Sequence, residues 1–120
     1  MSITVNTKIF KIQRTQPDSV AYKGPTGSLS KTDSLVFKRT MPKPSSDFTS
    51  VGRPSIKRTR DVIVDAVSGK TRPAVLELTG SLPVGMTAAE ITELVTDLVS
   101  AASAAAIGQP LFEALDLPSA

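Results

Sequence analysis

Ser28-Leu29-Ser30-Lys31 has the S-x-x-K spacing with which a lysine activates a serine for acyl transfer, chemistry that requires the pair to open a helix. Here the four residues lie between turn signals, in a chain of 120 residues, far too short for that fold. A turn or strand edge is the expected structure. Gly69-Lys70-Thr71 resembles the end of a phosphate-binding loop, but that motif needs a glycine five residues before Gly69, where this chain has Val64. Without a glycine cradle, a hairpin turn is the better reading. Asp61 and Asp65 share a parity on a strand and Glu77 could face them from the next, so three carboxylates could hold Mg²⁺ for a nuclease. The commoner role of such residues is to offset neighbouring Lys57, Arg58 and Arg60 across strands. The chain has no Cys and no His, which removes thiolate nucleophiles, disulfides, most zinc sites and imidazole acid-base chemistry. No catalytic constellation, metal or cofactor is expected.

The chemistry that remains is ionic. All fourteen Lys and Arg precede Pro73; against five acids they give residues 1–72 a net charge of +9, while residues 73–120 carry six acids and no base, a net of −6. The overall +3 conceals this division. A concentrated positive charge is the footprint of a surface that meets a polyanion, because each base held near phosphate releases condensed counterions. Lys8, Lys11 and Arg14, then Lys38, Arg39 and Lys43, then Arg53, Lys57, Arg58 and Arg60 fall on or beside successive expected strands, where a sheet can gather them. Of these, Lys8, Lys11, Arg14, Lys38, Arg39, Lys57, Arg58 and Arg60 are the candidate nucleic-acid contacts. With one Tyr, no Trp and four Phe partly needed for a core, contact with the backbone is favoured over base stacking.

The elements that must position these bases follow from periodicity. Residues 3–14 read as one strand, bulged midway, because Ile3, Val5 and Ile9 share one parity and Phe10 and Ile12 the other. After the turn Thr15-Gln16-Pro17-Asp18-Ser19, strands are expected over 20–23 and 35–39, separated by Gly24-Pro25-Thr26-Gly27. Residues 41–54, with Pro42, Pro44, Gly52 and Pro54, read as loop with room for a short edge strand over 48–51. Two longer strands, 55–67 and 73–82, are joined by a hairpin turn at 68–72.

The acidic part changes period. Thr87 and Glu90 form a T-x-x-E capping box, and Ile91, Leu94, Val95, Leu98, Val99 and Ala102 fall on one arc of a helix running to Ala106. Gly108 reads as its stop, and Pro110 as the start of a second helix over 110–117. The fold class is therefore α+β: one domain over 1–120, with 1–82 mainly antiparallel sheet and 87–117 helical. One sheet with a long and a short helix leaves apolar surface uncovered, and the Ala-rich helix end permits close approach of a neighbour, so a homodimer is expected. The N-terminus lacks the basic head and apolar run of a signal peptide, and no stretch approaches the length of a membrane span, so a soluble protein made inside the cell is expected.

An N-terminal hairpin, an antiparallel meander ending in Arg72-Pro73-Ala74-Val75-Leu76-Glu77-Leu78-Thr79-Gly80-Ser81-Leu82-Pro83, a capped helix and a short second helix form an ordered signature. This chain resembles the coat proteins of single-stranded RNA bacteriophages, the levivirus-like group, in length, in element order and in lacking His. The resemblance implies a sheet continued across a dimer, with helices of each subunit crossing over the other. Dimers would assemble into an icosahedral shell around single-stranded RNA, in a virion made in the bacterial host cytoplasm. It implies basic strands lining the interior and acidic helices outside. It also implies translational repression through an RNA hairpin, although the tyrosine that stacks on a hairpin base in that group has no counterpart in the later strands here. A small dimeric nucleic-acid-binding regulator that forms no particles is the alternative reading.

Overall fold

The computed structural model describes residues 2–28, 30–43 and 51–117. Asn6 and Thr7 both take left-handed backbone angles, with φ of 51° and 62°, and this pair turns the chain between β1 (Ser2–Val5) and β2 (Lys8–Gln16). Two consecutive residues with positive φ twist in the sense that antiparallel strands need, and Asn accepts that conformation more readily than most residues. The single strand expected over 3–14 is therefore a hairpin. Parity is counted afresh after the turn: Ile3 pairs with Phe10, so Ile3, Val5, Phe10 and Ile12 share a face.

The meander continues through β3 (Ser19–Lys23), β4 (Asp33–Thr40), β5 (Val51–Asp65) and β6 (Lys70–Thr79), each antiparallel to the one before. A two-residue β7 (Leu82–Pro83) pairs with Val51 and Gly52 at the start of β5. The strand expected from Ser55 thus begins at Val51, and Pro54 lies inside it, opposite Arg39. The strand expected from Pro73 begins at Lys70, because Gly69, at φ 70°, completes the turn over 66–69 three residues earlier than the proline suggested. β6 has its ladder to β5, and Pro73 is tolerated there, near its beginning. The edge strand expected over 48–51 lies outside the described residues apart from Val51.

Register separates the sheet into two faces, since directly opposed residues project to the same side. One face is apolar. Phe10, Tyr22 and Leu35 form its buried centre, with Ile3, Val20 and Phe37 packed against them and the Tyr22 and Phe37 rings edge to face, centroids 5.9 Å apart. The apolar surface extends over Ile12, Ile56 and Leu76, which remain exposed.

One ionic cluster interrupts this face. The Asp33 side chain is 1 % exposed and forms an ion pair with Arg58. Asp33 also accepts hydrogen bonds from the Thr26 amide at 3.0 Å and the Thr26 hydroxyl at 2.5 Å. The Arg58 guanidinium donates to the Ser34 and Thr59 carbonyls and lies 5.0 Å from the centre of the Phe10 ring. Gly24 is required beside this cluster, because a Cβ there would overlap the Asp33 carboxylate. Burial opposes the charged carboxylate, but the Thr26 hydroxyl, Arg58 and the Thr26 amide outweigh it, and the Asp33 pKa is lowered from its usual 3.8.

The chain divides into two compact units, Met1–Val84 and Gly85–Ala120. In the second, the capping box forms as its spacing dictates: the Thr87 hydroxyl accepts from the Glu90 amide at 3.2 Å, and Glu90 accepts from the Thr87 amide at 3.1 Å. The Glu90 carboxylate also accepts from the Thr87 hydroxyl at 2.9 Å, and the bonds it accepts, the amide's first and then the hydroxyl's, lower its pKa. Helix α1 (Ala88–Ser103) ends earlier than expected, at Ala104, and Gly108 opens α2 (Gly108–Ala114) instead of stopping α1. The physical reason is a close approach. The helices meet at 55°, and a Cβ on Gly108 would overlap the Ala101 carbonyl oxygen and the Ala102 backbone. The small residues at the end of α1 thus meet α2 of their own chain. Leu94, Val95, Leu98 and Val99 each keep about half their surface exposed.

A lowered carboxylate pKa contributes stability that is complete above the unfolded value and disappears as pH falls through the folded one. Asp33→Asn should lower unfolding free energy at neutral pH by about 2 to 3 kcal/mol, since it leaves Arg58 without its counter-ion. In denaturant titrations the deficit should narrow below pH 3.8, as the wild-type carboxyl protonates; a deficit unchanged down to about pH 2 would contradict the ion-pair account.

Candidate nucleic-acid interface

On the other face of the sheet the paired residues form cross-strand rows. One runs Lys11, Lys23, Ser34, Thr59, Val75; the next Arg14, Ala21, Val36, Lys57, Glu77; a third Gln16, Ser19, Lys38, Ser55, Thr79; and beyond it Thr40 opposes Arg53. Six bases and a series of hydroxyls therefore share one surface. Such groups position a polyanion by contact with phosphate oxygens.

Two local features create this arrangement. By simple alternation Arg14 would share a side with Ile12, but the register shifts between them: Ile12 opposes Tyr22 and Arg14 opposes Ala21. Gln13 is the extra residue of a β-bulge, and it returns Arg14 to the polar face. The second feature is the long β5, which carries Arg53 and Lys57 through both lower rows. Shallow depressions of about 540 and 470 Å³ flank Lys38: one is bounded by Thr40, Arg53, Ser55, Thr79 and Ser81, the other by Gln16, Asp18, Ser19 and Arg39. Ser19 Oγ is buried beside Lys38 without a protein partner.

The eight bases selected from sequence divide between the faces. Lys11, Arg14, Lys38 and Lys57 come together on the polar side. Lys8, Arg39, Arg58 and Arg60 lie at register positions of the apolar side, opposite or in line with Val5, Phe37, Leu35 and Asp33. Arg58 is committed to Asp33, and Arg39 forms an exposed ion pair with Asp18 at 3.2 Å. Sequence reasoning omitted Lys23, an isolated base at the end of a short strand, and placed Arg53 in a loop. Alternation from Ala21 would have found Lys23; the early start of β5 had no signal.

The carboxylates considered for a metal are separated by other duties. Asp61 accepts from the Thr32 amide at 2.9 Å. Asp65 accepts from the Ser68 hydroxyl and the Val67 amide, which lower its pKa, Ser68 contributing most. Glu77 opposes Lys57. Among the described residues no three His, Cys, Asp or Glu side chains are grouped to hold a metal ion. Leu29 lies outside the described residues; next to it, Ser28 Oγ accepts from the Lys31 amide at 3.2 Å in a turn. Gly69-Lys70 likewise closes the β5–β6 hairpin. Among the described residues the aromatic side chains of the sheet, Phe10, Tyr22 and Phe37, are on the apolar face.

The same arrangement, a six-strand antiparallel meander followed by two helices, is found in solved virus-like particles of levi-like viruses and bacteriophages. No protein-family model and no curated protein sequence matches the chain. Solved structures match it closely in shape. A virus-like particle of Wenzhou levi-like virus 4 superposes with a TM-score of 0.78 at 18 % identity, covering 97 % of this chain and 82 % of that one. A virus-like particle of bacteriophage AVE019 gives 0.74 at 17 %, covering 97 % and 94 %. The bacteriophage EMS014 coat protein gives 0.59 at 14 %, covering 78 % and 62 %. At these identities the likeness establishes the fold.

Proposed function

We propose that this chain is a structural capsid subunit. It self-assembles through dimers into an icosahedral shell and packages single-stranded RNA against the polar face of its sheet. The observation that carries the reading is the correspondence of nearly the whole chain, sheet and helices together, with subunits of virus-like particles. The half-exposed stripe of Leu94, Val95, Leu98 and Val99, with the exposed Ile56 and Leu76 of the sheet, supports association, because a lone soluble chain gains by covering such surface. The basic, hydroxyl-rich polar face supports RNA as the interior partner. The role is then structural and not catalytic, and its place is the virion, after synthesis in the bacterial host cytoplasm. A dimeric nucleic-acid-binding regulator would use the same polar face but stop at the dimer.

Expression in bacteria followed by electron microscopy separates the two readings. Closed particles are expected, and with no Trp and one Tyr in the chain their strong absorbance near 260 nm would come from nucleic acid. Dimers alone would exclude the capsid reading. In filter binding of disassembled protein to single-stranded RNA, Lys57→Gln should reduce the salt dependence by about 0.7 in log-log slope for one lost phosphate contact. Arg60→Gln, on the opposite face, should leave the slope at its wild-type value. The reverse result would move the interface to the apolar side.

A further inference from the structure

Lys11 and Lys23 are direct cross-strand partners. Facing like charges lie with their Cα atoms about 4.5 to 5.5 Å apart, and such pairs destabilise a sheet. The bulge at Gln13 then adds a third base, Arg14, on the same side one row away. Among the described residues no acid forms an ion pair with Lys11, Arg14 or Lys23: Asp61 accepts from the Thr32 amide and Glu77 opposes Lys57. Asp33 is occupied by Arg58 and Asp18 by Arg39.

Lys23 is also held in place. Its stem lies against Gly27, where a Cβ would come within 3.0 Å of the lysine Cγ and Cε, so the glycine leaves room for the side chain along the 24–27 loop. A lysine kept merely for solubility would need neither a positioned stem nor a lysine opposite it. Three bases without an ion-pair partner among the described residues, one re-aimed by a bulge and one with its stem on a glycine, form a concentration of positive charge that an anion would neutralise.

We propose that Lys11, Lys23 and Arg14 form a phosphate-binding site for the backbone of single-stranded nucleic acid, and that mutual repulsion makes the empty site a source of instability which occupancy relieves. The proposal rests on the RNA-packaging reading and extends it. It places a contact on the β2–β3 hairpin, on the same face as Lys57 and separated from its strand by β4. Because Phe10, Tyr22 and Phe37, the aromatic residues of these strands, lie on the apolar face, the contact reads phosphate and not base sequence.

The test uses full-length protein freed of nucleic acid, with Lys23→Thr, which suits an exposed strand position, and Lys70→Thr as a control outside the site. Without ligand at low salt, Lys23→Thr should melt at a higher temperature than wild type, and the gain should vanish in high salt as the repulsion is screened. Added oligouridine should raise the wild-type melting temperature more than that of Lys23→Thr, and the salt slope of binding should fall by about 0.7 in Lys23→Thr. Lys70→Thr should behave as wild type in each measurement. If wild type binds oligouridine and Lys23→Thr shows the same slope and no gain in melting temperature, the site is refuted while the packaging reading survives. If wild type fails to bind oligouridine, the packaging reading itself falls. Stabilisation by inorganic tripolyphosphate but not by oligouridine would assign the site to free polyphosphate and overturn the nucleic-acid assignment.

Discussion

Side chains along an extended strand must alternate between two sides, and in this sheet that constraint divides one amino-acid sequence into two unlike surfaces. Residues at one parity supply Phe10, Tyr22, Leu35 and Phe37; their neighbours supply Lys11, Lys23, Lys38 and Lys57. Neither surface can be altered independently of register, because a slip of one position exchanges them. The turn at Asn6–Thr7, the loop closed by Gly24, and the hairpin ending at Gly69 are therefore more than connections. Each one sets the phase of the strand that follows it.

The Asp33–Arg58 pair shows the cost of the constraint and its solution. Arg58 falls at an apolar parity, between Ile56 and Arg60, where a guanidinium would be poorly solvated. Its charge is met by Asp33 and the Phe10 ring, and the same Nη1 that meets Asp33 also donates to two strand carbonyls. Asp33 in turn holds Thr26, so one pair ties the β3–β4 loop to β5, the second strand beyond it. Ion pairs of this kind seldom add much net stability, but they are expensive to break from one side.

The order of elements, the α+β class and the helix start at Thr87 were legible because they depend on local signals: period two, period 3.6 and a reciprocal cap at fixed spacing. What escaped was phase. Asn6–Thr7 lacks the glycine that usually announces a two-residue hairpin, so Ile3 and Phe10 were assigned to opposite sides although they are partners. The bulge at Gln13 leaves no composition signal either, and Arg58 is indistinguishable in sequence from Lys57 until pairing shows which of them meets Asp33. The basic character of the sheet was thus readable, while the side on which each base lies required long-range pairing. The end of α1 was missed for a related reason. Ala104 and Ala106 favour helix locally, yet the close approach of Gly108 to Ala101 and Ala102 ends it first.

The bulge in β2 also bears on how this chain can vary in length. Gln13 is one residue more than the ladder with β3 requires, so its loss would convert the bulge into regular pairing and leave Ile12, Arg14 and Thr15 on their present sides. Removal of a residue elsewhere in the strand would transpose part of it from one surface to the other. Gln13 is thus a place where a gap can open in an alignment without disturbing the charge pattern. Gaps absorbed in this way weaken the correspondence between two sequences while their backbones continue to superpose.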